Sequence, residues 1–336
     1  MIRRPPRSTQ SRSSAASDVY KRQLELLNIF LSHRDIDVNI KNDQRQTALH
    51  LAVVSSYSTE VMKMLIDAGI DIDAQDKDGN TALHLACIEQ NFDTINVLIK
   101  AAANVNIKNN NGQTPFLLGS AMGILWDDMI HAGANVKERD NDGKTCLHYF
   151  ASHSGFNTGL LPDFIHFVGD IDIKDYDGNT ALFEAAKAGS TTMIRELINN
   201  GAYVDTQNNN GETPLFYAAY YGNKNALEEL IDNNADITIK DNNGRTVLFY
   251  AIHPEINCLL LMSLNMAQKR SNIKIDVNAQ DKESGSTALH EAVRLKAIDA
   301  IRILIIDMGA RIDIRDNNGN TPLDIAKYMN LSLIHI

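Results

Sequence analysis

A short tag, in its fullest form Gly-x-Thr-Pro-Leu, returns nine times along the 336 residues at an interval near 33 residues. Read through its hydrophobic residue, the register positions are Leu49, Leu83, Phe116, Leu147, Leu182, Leu215, Leu248, Leu289 and Leu323, spaced by 34, 33, 31, 35, 33, 33, 41 and 34 residues. A period of this size, carrying one supersecondary unit per copy, points to a stack in which each unit seals its apolar side against the next, and away from a globe around one closed core. The period runs from about Ile36 to Tyr328 with no Pro/Ser-rich linker, which predicts one elongated array and no second domain.

Each copy reads the same way physically. Asp-Gly or Asn-Gly, as at Asp177-Gly178, Asn111-Gly112, Asn210-Gly211, Asn243-Gly244 and Asn318-Gly319, supplies the positive backbone angles of a tight hairpin tip. Thr follows where its hydroxyl can cap a helix, and Pro115, Pro214 and Pro322 stand next, where a missing N–H costs nothing. The first helix carries small residues, Ala185-Ala186 and Ala218-Ala219 among them, which lets neighbouring helices approach closely. A second helix follows with apolar residues at i, i+3 and i+4, such as Ile95, Leu98 and Ile99, or Leu227, Leu230 and Ile231. Gly69, Gly133, Gly201, Asn234 and Gly309 then occupy the position of a left-handed cap.

The segments Thr47-Ala48-Leu49-His50-Leu51-Ala52, Thr81-Ala82-Leu83-His84-Leu85-Ala86 and Thr213-Pro214-Leu215-Phe216-Tyr217-Ala218 resemble the Thr-Pro-Leu-His-x-Ala motif of ankyrin repeats. The resemblance spans nearly all of residues 24–330. It implies an all-α repeat solenoid, a helix-turn-helix plus a β-hairpin loop per unit, with about nine units and a partial one at the N-terminus. Four departures carry expectations of their own. The Phe116 unit is two residues short between Gly123 and Gly133, and Phe150 stands where a small alanine is usual. The Leu248 unit meets His253-Pro254 and carries extra residues near Ala267 to Lys274, which predicts a protruding loop. Arg45 replaces the turn glycine, which predicts a distorted tip.

The two ends read differently. Residues 1–23 are Arg- and Ser-rich and acid-poor, superficially like a transit peptide. However, residues 18–23, Asp-Val-Tyr-Lys-Arg-Gln, can be encoded by GAT GTG TAT AAG AGA CAG, whose reverse complement translates as Leu-Ser-Leu-Ile-His-Ile, the sequence of residues 331–336. Both ends can thus arise from one DNA element in opposite orientations, resembling a sequencing-library transposon end. On this reading residues 1–23 are a non-native, disordered leader, 331–336 a non-native tail, and 24–330 an array cut from a longer reading frame. Taking the leader's six basic residues and one acid from the chain's 32 and 42 leaves 26 against 41, a charge of −15. An acidic array repels phosphate, so nucleic acid and anionic membrane are poor partners. Apolar runs such as Cys258 to Met262 fall far short of the roughly 20 residues that cross a bilayer. Cys87, Cys146 and Cys258 lie far apart in different repeats, which favours a reducing, intracellular and cytoplasmic setting over a disulfide framework or CxxC metal site.

Nothing in the chain spells out chemistry. GxxxxGK[ST], a strand-linked GxGxxG and GxSxG are all missing. His50, His84, His148 and His290 recur at one repeat position and read as structural, and His148 with His153 lacks the HExxH spacing of a metal site. Asp127-Asp128 and Glu228-Glu229 read as solvated helix faces. The expected function is a monomeric, non-catalytic protein-interaction scaffold without cofactor or metal, the alternative being the regulatory array of a larger enzyme, channel or ubiquitin-ligase adaptor. The resemblance places hairpin tips and first helices on one concave strip that is free to select a protein partner. Register maps Tyr176, Asn179 and Lys187 to that strip from the Leu182 unit; Asn209, Asn210, Glu212, Tyr220 and Tyr221 from the Leu215 unit; and Asn242, Arg245 and His253 from the Leu248 unit. Phe183, Phe216 and Phe249, replacing the motif histidine in three successive units, read as inter-repeat core.

Overall fold

The structure, a computed structural model, describes residues 10–33, 35–55, 59–120, 126–153, 158–252 and 258–329. Among these residues every regular element is helical, apart from one isolated bridge between Lys240 and Thr246 at the base of a hairpin tip. Two compact units are present, Met1–Gly119 with Ile124–Asn135, and Ser120–Gly123 with Val136–Ile336. Within each, helices pack in chain order. In the first unit Ala48–Val54 packs on Ala82–Ile88, and Thr59–Asp67 on Phe92–Lys100. In the second, the first helices Cys146–Ala151, Ala181–Ala188, Pro214–Tyr220, Val247–Tyr250, Ala288–Arg294 and Pro322–Tyr328 succeed one another. The second helices Thr191–Asn199, Lys224–Asp232 and Leu259–Ser271 form a parallel succession behind them.

The apolar stripes are the interior. Ile95, Leu98, Ile194, Leu197, Leu227 and Leu230 are fully buried, and Ala185, Ala186, Ala218 and Ala219 lie buried between adjacent first helices. Each such leucine or isoleucine contributes roughly 1.5–3 kcal/mol by leaving water. Tips are wired by a residue five before the tag threonine, an aspartate or asparagine buried in almost every copy. Asp175 Oδ1 accepts from the amides of Asp177 and Asn179, Asn208 Oδ1 from Asn210 and Glu212, and Asp241 Oδ1 from Asn243 and Arg245. One backbone bond joins successive tips, as from Asn209 N to Asp177 O at 2.9 Å and from Asn242 N to Asn210 O at 2.8 Å.

The departures resolve individually. Arg45 does not distort its tip: it takes the left-handed conformation at φ 59°, and its amide bonds Asn42 O at 2.8 Å, as Gly112 bonds Asn109 O at 2.9 Å. Ala102 occupies the left-handed cap slot at φ 62°, where other repeats use glycine or asparagine. The extra residues of the 41-residue step do not protrude as a loop. They lengthen the second helix to 13 residues, Leu259–Ser271, where Thr191–Asn199 and Lys224–Asp232 have nine, and Asn272 at φ 56° caps it. Helix continues because no proline or glycine interrupts that stretch, and because Ala267 is buried along it. The short Phe116 unit keeps a six-residue second helix, Trp126–His131. Phe150 fits, fully buried and stacked on Phe164 at a centroid distance of 4.5 Å. Gln10–Leu31 forms one helix, and its span holds neither proline nor glycine.

Candidate functional site: a tyrosine strip on the central repeats

The site begins with how successive repeats are joined. In the copies with His50, His84, His148 and His290, the imidazole is buried and both ring nitrogens are engaged. Nδ1 lies 2.8–2.9 Å from the tag threonine's hydroxyl and accepts from that threonine's amide. Nε2 reaches a carbonyl of the next repeat, Asn80, Gln113, Asn179 or Asn320, at 3.0–3.1 Å. A carbonyl can only accept, so Nε2 carries the proton and Nδ1 is the acceptor. Burial lowers the pKa of all four, which keeps them neutral. With both nitrogens engaged, His148 has none left for a metal.

Phe183 and Phe216 fill the same position in buried form, while Phe249 is half-buried. A phenyl ring cannot answer the threonine. The hydroxyls of Thr180, Thr213 and Thr246, the tag threonines of these three copies, are buried without a partner, and the third helical amide bonds the threonine carbonyl instead. What the phenyl rings gain is aromatic contact with tyrosines one repeat on. Phe183 meets Tyr217 edge-to-face at 5.0 Å and Phe216 meets Tyr250 at 5.2 Å. Offset and perpendicular ring pairs of this kind contribute roughly 0.5–1.5 kcal/mol beyond their burial.

On this floor stand Tyr220 and Tyr221, 59% and 43% exposed, with rings perpendicular to each other at 5.1 Å. Tyr221 also meets Tyr217 at 6.1 Å and carries the Lys187 ammonium over its face at 5.3 Å. Tyr250 was not singled out from sequence, yet it closes the cluster: 6.4 Å from Tyr220, with its hydroxyl 2.8 Å from Asp241 Oδ2 and 3.0 Å from Glu212 Oε1. Burial and these carboxylates push the Tyr250 phenol well above its ordinary range. Burial, then the Glu212 charge, pushes Tyr217 up to about 12. The signal was in the sequence as spacing: Tyr149 bonds Asp140 at 2.7 Å across the same nine-residue interval that separates Tyr250 from Asp241.

Other expected strip residues divide by exposure. Tyr176 is exposed and lies against Gly143, where any added Cβ would come within 2.6 Å of its ring. Lys187, Asn209, Asn210 and Asn242 are exposed, although Asn209 and Asn242 each spend the side-chain amide on the preceding tip. Glu212 is half-buried and accepts from Asn208 Nδ2 at 3.0 Å. Arg245 is half-buried too, bonded to Asp241 at 2.8 Å and stacked over Tyr250 at 5.1 Å. Asn179 is not on the surface. It is buried, bonded to Asp175 and to Asn208, and holds the strip from below. His253 lies outside the described residues.

Burial pushes the Cys87 and Cys146 thiols up to about 12, which leaves them protonated. The acidic pair Glu228 and Glu229 is tied to Ser263, Lys224 and Arg195, and Asp127 and Asp128 face solvent. The described residues hold no group of three potential metal ligands. No helix among them is long and apolar enough to cross a membrane.

Comparison with known proteins agrees with this architecture. A model of three tandem ankyrin repeats matches residues 14–109, 116–208, 154–241 and 185–272, and a single ankyrin repeat matches 284–317. The chain is 30% identical over 173 residues to the chicken nuclear factor NF-kappa-B p105 subunit, covering 49% of this chain and 17% of that protein. It is 28% identical over 187 residues to the mouse B-cell lymphoma 3 protein homolog, covering 53% and 40%. With human transient receptor potential cation channel subfamily A member 1 the figures are 28% over 171 residues, 48% and 15%. The chain thus matches well under half the length of each of these relatives. Repeat register, helix pairing and family match agree throughout, and the chain belongs to the ankyrin repeat family.

Proposed function

We propose that this protein is a non-catalytic binding scaffold that captures a protein partner on the strip formed by Tyr176, Lys187, Asn210, Glu212, Tyr220, Tyr221, Asn242 and Arg245. The observation that carries the reading is the exposed pair Tyr220 and Tyr221, standing on the half-buried Tyr217 and Tyr250, which in turn pack on the buried Phe183 and Phe216. Tyrosine offers a large contact area, few rotors and one hydroxyl, and a true hot spot is worth roughly 2 kcal/mol or more. Three unpaired cysteines, two of them buried, fit an intracellular, reducing setting. The chain's charge of −10 disfavours nucleic acid as the ligand.

Affinity capture with the intact chain tests this. The double variant Tyr220→Ala/Tyr221→Ala is expected to lose the partner while its melting curve stays close to that of the parent; undiminished capture by the variant would count against the strip. A second reading has its own support, since the chain spans 15–40% of the relatives' lengths. On that reading the array recruits or regulates within a larger polypeptide, and a longer reading frame encoding an effector domain is the finding that would favour it.

A further inference from the structure

Between the tyrosines lies a cleft of about 140 Å³ lined by Glu212, Phe216, Tyr217, Tyr220, Tyr221 and Tyr250. Its walls are five aromatic rings and one carboxylate. The rings are not parallel: Tyr220 and Tyr221 stand at 86°, Phe216 and Tyr250 at 70°, and Tyr220 and Tyr250 at 68°. Walls set this way make a box, whereas a flat guanidinium is held best between parallel faces. The faces of this cluster already hold cations of the chain itself, the Lys187 ammonium over Tyr221 at 5.3 Å and the Arg245 guanidinium over Tyr250 at 5.1 Å.

Charge around the box is only partly compensated. Arg245 is drawn to Asp241 at 2.8 Å and Asp281 at 3.7 Å, and no cation among the described residues pairs with Glu212. A second cleft of about 440 Å³ shares the Tyr220 and Tyr250 walls and adds Arg245 and the carboxylates of Asp281, Glu283 and Glu291, of which Asp281 pairs with Arg245 and Glu291 with Arg294. We propose that the tyrosine box is a receptor for a single lysine ammonium, bare or N-methylated, projecting from a basic segment of a protein partner whose flanking residues run along the acidic cleft. Ring quadrupoles attract a cation over their faces, and Glu212 supplies the opposite charge from the wall. An anion would meet the carboxylates, and a neutral apolar group would gain nothing from the Glu212 charge.

This inference rests on the protein-capture reading above and narrows it to one ligand chemistry. The test titrates the intact chain with a short basic peptide carrying one central lysine in unmodified, mono-, di- and trimethylated forms, and with the neutral norleucine form, using calorimetry. At least one ammonium form is expected to bind tenfold or more tightly than the norleucine form. Tyr220→Ala, at a residue too exposed to carry the fold, should erase that difference, and Glu212→Gln should reduce it. Lys187→Ala should widen it by removing a competing charge, a gain that a purely structural role for these rings would not give. Binding that ignores the ammonium, or a preference that survives Tyr220→Ala, would overturn the proposal. Loss of partner capture by the double tyrosine variant alongside a failed titration would leave the docking strip standing without a cation pocket.

Discussion

Two kinds of joint hold the repeats together, and their difference explains where the surface of interest lies. The Leu83 copy joins its neighbour by hydrogen bonds, with His84 spanning from Thr81 to the Gln113 carbonyl. The Leu182 and Leu215 copies join theirs by ring contact, Phe183 to Tyr217 and Phe216 to Tyr250, at the expense of two threonine hydroxyls left without partners. A hydrogen-bonded joint is self-sufficient and leaves its outer face unmarked. An aromatic joint needs bulk on the following helix, so it draws tyrosines to the strip and gives Tyr220 and Tyr221 something to stand on.

The largest blow to the comparison is dealt by removing the shared core. Leu215→Ala empties a fully buried site at an aromatic joint, and a loss of about 2–5 kcal/mol is expected in denaturant unfolding. Since each copy depends on its neighbours, Leu83→Ala at a histidine joint should cost a similar amount; a much smaller loss at Leu215 would mean that the ring contacts hold the second unit without its aliphatic core.

Acidification separates the two joints next. The four motif histidines have folded pKa values lowered by burial, so at pH 7 both folded and unfolded chains hold them neutral. Below about pH 6.5 the unfolded chain takes up protons that the folded chain refuses, and stability falls as pH falls. Between pH 7 and about 5.5 most carboxylates stay ionised, so the loss belongs mainly to histidine. Hydrogen-exchange protection, taken relative to the intrinsic rate at each pH, should fall over that interval around Thr81 and Thr287 more than around Thr213. A uniform fall would dissolve the distinction between the joints.

Much of this was legible in the residues. The period, the stripes, the proline and glycine positions and the role of Phe183 and Phe216 follow from local chemistry, because each repeat solves the same local problem again. The histidines read as structural for the same reason. What the sequence concealed depends on contacts between copies. Tyr250 reads as an ordinary filler of the x position until Asp241 and Glu212 are seen on either side of its hydroxyl. Asn179 reads as a tip residue, but the next repeat's Asn208 covers it. The lengthened Leu259–Ser271 helix escaped because an insertion between repeats suggests a loop, whereas its own residues favour helix.

A smaller effect probes the cap directly. Thr81 receives the His84 amide and faces the His84 ring, so Thr81→Val should cost about 1 kcal/mol. Thr213→Val deletes a hydroxyl that has no partner and should change stability by less than about 0.5 kcal/mol, or raise it. The ratio of the two losses in matched urea titrations measures how far the phenylalanine copies have abandoned the cap. Equal losses would show that the Thr213 hydroxyl is satisfied in solution.

The smallest effect lies at the tip where the chain keeps its geometry against residue preference. Arg45 sits at φ 59° with the same turn bond as its glycine counterparts, so the left-handed conformation is imposed by the hairpin tip and not chosen by the side chain. A left-handed conformation costs a non-glycine residue about 1–2 kcal/mol, whereas glycine adopts it freely and loses more chain entropy on folding. These terms oppose each other, and Arg45→Gly should raise stability by roughly 0.5 kcal/mol, seen as a small upward shift in the melting of the first unit. A loss of stability instead would mean that the Arg45 side chain makes a contact worth more than the backbone strain it imposes.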